Sequence, residues 1–271
     1  MKRIVILTGN ELRHQFFRKK IALTEGIEVI QSFCETAQQL LKEEVNDDNI
    51  LRHQHLQARL QSEKDFFELL VNSAEDKSNA VVIERGSINE QKYVDAIQAL
   101  NIDLIVVYGA SVLKAPLLQA FPNKIMNVHL GLSPYYRGSG TNYFPLVDEL
   151  PECVGATFMY IDEGIDTGEI IHQIRASYNY FDTPSSVGNR LITDMTNVFA
   201  KLIIKFNSLQ KPVDVLFNSY RKLCKNKDYT EASVKKVYDN FQNGMITDYL
   251  LNKRLRDSYF LVQQQSSDLF L

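Results

Sequence analysis

Short apolar runs recur through the first half of the chain, at Lys2 to Leu7, Ile27 to Ile30, Ala80 to Ile83, Leu104 to Tyr108 and Ile125 to His129, and helical segments separate them. Strands alternating with helices are the pattern of a parallel sheet with crossovers, so the fold class is α/β with a mainly parallel central sheet. Thr8-Gly9-Asn10 ends the first run and opens a helix at Glu11 to Phe17. Asn89 can cap the helix between the third and fourth strands. Farther on, Glu169 to Ile174 alternates as an edge strand, and Thr183 to Phe206 reads as a long helix begun by Asp182-Thr183-Pro184.

Two regions fall outside this regular alternation. Residues 35–78 hold a long polar insertion, with Lys42-Glu43-Glu44 and a helix over Arg52 to Phe67 whose Leu56, Leu60, Phe67 and Leu70 recur at helical spacing. Its apolar face predicts a helix packed on the domain. Lys211-Pro212 marks a boundary that divides the chain into a main domain, 1–210, and a small C-terminal extension, 211–271. The extension reads as an extended stretch at Val213 to Phe217, a helix over Thr230 to Tyr238 and another near Ile246 to Leu255.

The chemistry concentrates at the end of the fifth run. Residues two apart on a strand share a face, so Asn127 and His129 point the same way at the carboxyl end, the end where open α/β sheets bind ligands. Asp162-Glu163-Gly164-Ile165-Asp166-Thr167-Gly168 adds a carboxylate at Asp166. An amide, an imidazole and a carboxylate suit acyl transfer to an amine: the first two donate to a developing oxyanion, and the carboxylate orients the imidazole or takes the amine's proton. The same Asn127 and His129 also fit a buried polar contact with no chemistry.

Longer stretches around these residues carry a resemblance. Asn127-Val128-His129-Leu130-Gly131-Leu132-Ser133-Pro134-Tyr135-Tyr136-Arg137-Gly138 resembles one signature of the folate-dependent formyltransferases, and Gly155 to Ile171 resembles their second. Leu104-Ile105-Val106-Val107-Tyr108-Gly109 is a weaker match, to the strand and turn lining the family's pterin pocket. The resemblance implies a Rossmann-like formyltransferase fold, a catalytic domain over 1–210, and Asn127, His129 and Asp166 as catalytic residues. It implies N10-formyltetrahydrofolate as formyl donor. The pterin would lie between the turn Tyr108, Gly109, Ala110, Ser111, Val112 and the loop Ile161, Asp162, Glu163, Gly164, Ile165. Asp162 and Glu163 fit a solvated acidic turn as well.

The first loop departs from the family's purine-synthesising branch, whose glycine- and serine-rich phosphate loop is reduced here to Gly9. Gly9, Asn10, Arg13 and His14 are therefore the candidate acceptor contacts, with Arg13 placed to meet a phosphate near a helix N-terminus. An exposed helical face is the other reading of Arg13 and His14. Arg52 to Phe67 is a second source of acceptor contacts. The implied acceptor is a small-molecule primary amine, a nucleotide-linked amino sugar. Methionyl-tRNA formyltransferase-like activity, formyltetrahydrofolate hydrolysis and a non-catalytic binding module on the same fold are the alternatives.

A net charge of -3 with no strong basic stripe speaks against a nucleic-acid partner. No apolar run reaches ~18 residues, so no membrane span is expected, and a cytoplasmic location is. Cys34, Cys153 and Cys224 form no CxxC pair, and the spacing of the five histidines supports no metal site. Apolar residues of the tail can cover the core or build a homodimer contact.

Overall fold

The computed structural model describes residues 1–37, 45–210 and 221–264. Lys42-Glu43-Glu44, the Lys211-Pro212 boundary and the stretch at Val213 to Phe217 lie outside the described residues. The five apolar runs are strands β1 (Lys2–Thr8), β2 (Ile27–Glu35), β3 (Ala80–Ile83), β4 (Leu104–Tyr108) and β5 (Ile125–His129). They are parallel and lie side by side in the order β3-β2-β1-β4-β5. The order reverses at β1 and β4, so a crevice opens at their carboxyl ends.

Four further strands follow β5 among the described residues, three of them before Pro184. The short β6 (Tyr136–Gly138) leaves the main sheet, whereas β7 (Gly155–Tyr160) pairs antiparallel with β5 and β8 (Ile170–Arg175) antiparallel with β7. Sequence reading found β8 but not β7, which opens on the buried Gly155 and Ala156, weak strand signals next to Val or Ile. It also ended β2 at Ile30, where Gln31 and Ser32 interrupt the apolar run. Ser32 and Glu35 are nonetheless buried, at 0% and 1% exposure.

Helices α1 (Leu12–Ala22), α2 (Ile50–Ser73) and α6 (Pro184–Ile204) pack together on one face of the sheet, while α3 (Gln91–Gln98) and α4 (Ala115–Ala120) lie on the other. Alternation sorts the core between these layers. Ile4, Ile6, Leu104 and Val106 join Phe16 and Phe17 of α1, while Val5, Leu7, Ile105 and Val107 join Val94 and Ile97 of α3. α6 starts where Thr183 predicts, with the Thr183 hydroxyl accepting from Ser186 N and the Ser186 hydroxyl receiving Thr183 N. Asn89 does not cap α3. Glu90 occupies that position, and Asn89 sits in a preceding single turn.

α2 runs longer than Arg52 to Phe67, and its inward face follows the expected stripe only in part, with Phe67 buried and Leu70 packed against the core. His55, Glu63, Phe67 and Val71 point inward, whereas Leu60 is 56% exposed. Polar residues take core positions here because each finds a partner, Glu63 with Arg13 and His55 with the Tyr238 hydroxyl. Tyr238 belongs to α7 (Glu231–Gln242), which packs on α2 and on the short α5 (Phe144–Val147); α8 (Met245–Arg256) follows. In the same region β9 (Lys222–Cys224) pairs in parallel with β6. Residues 261–264 then lie along β8: Gln173 N donates to Val262 O, Val262 N to Gln173 Oε1, and Gln264 N to His172 Nδ1. Among the described residues, no helix is long and apolar enough to cross a membrane.

Burial pushes His55 and His172 down to about 4, with Arg59 adding to the shift at His55. In the unfolded chain both return to about 6.5, so below that value the unfolded state binds more protons than the folded one. Stability should therefore fall as the pH drops from about 6.5 toward 4. Urea unfolding between about pH 7 and about pH 5 measures it. His172→Gln, which keeps an acceptor for Gln264 N, should flatten the slope, and a wild-type midpoint independent of pH over this range would contradict the assignment.

Candidate active site

A cavity of about 140 Å3 lies at the carboxyl ends of β4 and β5. Ala110, Ser111 and Val112 form one wall, Ile161, Asp162, Gly164 and Ile165 the other, and Val107 and Asn127 reach it from the sheet, with Asp166 at its edge. Tyr108, Gly109 and Glu163 do not line it. Tyr108 leaves β4 on the face opposite Val107, and its ring packs against His14 and Phe17, with centroids 4.9 and 5.0 Å away. The strand's parity from Leu104 was the signal available for that placement. Glu163 is exposed. A larger open cleft of about 500 Å3, touching Arg3, Glu28 and Lys77, sits at the amino ends of β1 and β2, the end that α/β sheets do not use for ligands.

The loop containing Asp162 is built locally. Asp162 Oδ1 accepts from Gly164 N at 2.9 Å and from the Thr167 hydroxyl at 2.8 Å, which carries the chain round to Asp166. Asp166 takes a positive φ of 51°, a conformation that aspartate tolerates better than most residues. Its carboxylate then reaches in two directions: Oδ1 lies 3.3 Å from His129 Nδ1, and Oδ2 accepts from Gly138 N at 2.9 Å. Gly138 has φ 92°, and a Cβ there would stand 2.3 Å from the Cys224 carbonyl oxygen of β9. Only glycine fits.

His129 is 8% exposed and its other nitrogen is also engaged. Nε2 lies 3.3 Å from the Tyr136 carbonyl and 3.2 Å from the Thr141 hydroxyl oxygen, whose own hydrogen goes to Leu130 O at 2.5 Å. Both neighbours of Nε2 therefore accept, so a neutral ring carries its hydrogen there and turns the Nδ1 lone pair toward Asp166. One proton between Nδ1 and Oδ1 satisfies that contact, and the pair works as a unit. Burial lowers the imidazole's pKa, with Asp166 and the Tyr136 carbonyl opposing it. Sequence reading identified Asn127, His129 and Asp166 but missed Thr141 and the Tyr136 carbonyl. Asn127 lines the cavity with no protein hydrogen-bond partner for its amide among the described residues, which leaves it available to a ligand.

The residues after β1 form a separate polar cluster at the crevice. His14 is 3% exposed, wedged where a Cβ on Gly9 or Gly109 would collide with its ring, and its Nδ1 lies 2.5 Å from Glu11 Oε2. Arg13 bonds Glu63 Oε1 at 2.9 Å and lies 3.5 Å from Glu11, so its charge is compensated rather than displayed on an open helical face. Asn10 contributes its carbonyl to Gln15 Nε2. Arg59 of α2, absent from the sequence expectations as a named contact, meets the same Glu63 oxygen through Nε at 3.2 Å. Among the described residues its terminal nitrogens have no protein partner, and no group of side chains is arranged to hold a metal ion.

The family model described as formyl transferase matches residues 2–203. A methionyl-tRNA formyltransferase of Desulforamulus reducens is 33% identical over 126 residues, 46% of this chain but 38% of that protein. The chain thus spans well under half the length of this curated relative. Among solved structures, glycinamide ribonucleotide transformylase 1 from Symbiobacterium toebii superposes with a TM-score of 0.52 at 19% identity, covering 83% of this chain and 95% of the other. A 4-N formyltransferase from Francisella tularensis gives 0.54 at 21% identity, covering 88% and 86%. These two likenesses are of fold.

The partners of His129 can be read by NMR. Its ring should titrate below the ordinary histidine value of about 6.5, because burial outweighs the carboxylate. Asp166→Asn removes the charge that holds the imidazolium, so the same resonance should titrate at still lower pH. An Asn variant titrating at or above the wild-type value would show that Asp166 and His129 are not electrostatically joined.

Proposed function

The chain belongs to the formyl transferase family, and we propose that it moves a formyl group from N10-formyltetrahydrofolate to a primary amine of a small molecule, an amino sugar carried on a nucleotide. One observation carries the reading: Asn127 and Asp166 border one cavity, with His129 on the Asp166 carboxylate. The amine attacks the formyl carbon, and the formyl oxygen gains negative charge as the nitrogen gains positive charge. The Asn127 amide donates to that oxygen, and His129 becomes the second donor once Nδ1 holds a share of the proton lost by the amine. Asp166 draws the proton from the amine and shares it with Nδ1. Collapse restores the carbonyl, breaks the bond to N10 of the folate and delivers a proton to that nitrogen.

The donor's pterin fits between the 110–112 turn and the 161–165 loop, whose main chain can face the edge of a flat heterocycle. Acceptor binding is proposed at the polar crevice. Gly9, Asn10, Arg13 and His14 border it, and Arg59 brings a cation with unused donors for a phosphate. The rings of Tyr143, Tyr229 and His55 stand together between α2 and α7, with centroids 5.4 to 6.0 Å apart, and two half-buried tyrosines suit stacking with a nucleobase. In this reading residues 1–210 are the catalytic unit, and the described parts of the 35–78 insertion and of the 211–271 extension supply the acceptor wall. A cytoplasmic location belongs to the same proposal, since buried free thiols suit a reducing compartment.

Purified protein incubated with the formyl donor and a panel of nucleotide-linked amino sugars, methionyl-tRNA, glycinamide ribonucleotide or no acceptor tests the reading by tetrahydrofolate release. Turnover with an amino sugar is expected. Release without any acceptor would indicate a hydrolase, and turnover with methionyl-tRNA alone would assign the activity named for the sequence relative. Asn127→Ala and His129→Ala should each lower turnover by on the order of a hundredfold. Near-normal turnover in both would make the motif structural.

Arg59→Ala addresses the acceptor separately. It should raise the acceptor KM severalfold and leave the tetrahydrofolate dissociation constant unchanged, the signature of ground-state binding lost for one substrate. An unchanged acceptor KM would remove Arg59 from the proposed site.

A further inference from the structure

The turn forming one wall of the cavity is held from outside. Among the described residues, no main-chain hydrogen bond joins residues 110–113 to the rest of the backbone. Side chains do so instead. Glu35, at the end of β2 and 1% exposed, places Oε2 2.6 Å from Ser111 N and Oε1 2.6 Å from the Ser111 hydroxyl, with Oε1 also accepting from Gly86 N at 2.8 Å. Its carboxylate spans the end of β1, tying the turns after β3 and β4. Asn89, in the turn after β3, donates to Val112 O at 3.0 Å and accepts from Lys114 N at 2.7 Å. Neither residue lines the cavity.

We infer that Glu35 and Asn89 are positioning residues that fix the Ala110 to Val112 wall in its ligand-ready form, an inference that rests on the formyl-transfer reading. A loop without main-chain bonds would have to be ordered by the ligand, and that entropy would come out of the binding free energy. With both ends clamped, the cost is met on folding. A carboxylate suits the position because it accepts without donating, and three donors converge on it. Glu35→Gln sets an NH2 against N–H or O–H and cannot satisfy all three. Asn89→Ala releases the second clamp at a partly exposed site.

Tetrahydrofolate binding by titration calorimetry, together with kinetics in which donor and acceptor are varied in turn, tests the inference on the full chain. In Glu35→Gln the tetrahydrofolate dissociation constant and the donor KM should rise about tenfold, and in Asn89→Ala about threefold. The acceptor KM and the kcat at saturating donor should stay within about twofold of wild type in both. Wild-type donor constants in both variants would overturn the inference, as would donor and acceptor constants worsening together, which marks general loss of structure. If Glu35→Gln does not fold, Asn89→Ala decides alone. A wild-type chain that binds no tetrahydrofolate overturns the formyl-transfer reading and this inference with it; wild-type binding with unaffected variants overturns the inference only.

Discussion

Successive side chains of a strand leave opposite faces of its sheet, and in β4 and β5 this alternation divides the molecule's polar chemistry into two compartments. Val107 and Asn127 are register partners on one face, beside the cavity. Tyr108 leaves by the other face, into the layer of α1, where His14 and Phe17 meet its ring. Its hydroxyl is buried without a partner among the described residues, and burial raises its pKa well above the ordinary phenol value. The sheet thus stands between the proposed donor cavity and the charged cluster of Arg13, Arg59 and Glu63, and the two sides meet only past its carboxyl edge. Two substrates could approach each other there without sharing a pocket.

The Asp166 carboxylate is where the second half of the chain joins this arrangement. Through Gly138 it is tied to β6, and through β6 to β9, so the loop carrying Asp166, a short outlying ladder and the described part of the C-terminal extension meet within a few hydrogen bonds. A side chain at Gly138 would strike the Cys224 carbonyl, force β6 and β9 apart and shift the Gly138 N–H that orients Asp166. The coupling is steric before it is electrostatic. It ties the extension mechanically to a residue that sequence alone places only in a loop.

Where the signal in the sequence was local, it was readable. The parallel strands announced themselves as apolar runs, Thr183-Pro184 marked the start of α6, and Asn127 and His129 were placed on one face by counting in twos. Features that depend on partners far along the chain were not readable. Glu35 fell at the start of the long polar insertion, and its burial makes sense only once Gly86 and Ser111 are brought to it. Leu60 looked like part of an apolar stripe, yet the inward face of α2 is set by Arg13 and Tyr238 drawing in Glu63 and His55. Asn89, a plausible helix cap by type, spends its side chain on a turn 23 residues away.

The segment at 261–264 has a consequence for how the molecule behaves in company. β8 is the last strand of the sheet, and an uncovered last strand offers a row of free amide and carbonyl groups to any extended peptide. Val262 and Gln264 occupy that row: Gln173 N donates to the Val262 carbonyl, Val262 N donates to the Gln173 side chain, and the Gln264 side chain reaches the Ile171 carbonyl. Proteolytic trimming of this tail would leave the folded body an adhesive margin. Loss of residues 261–264 would then register first as turbidity in concentrated solution, before any change in catalysis.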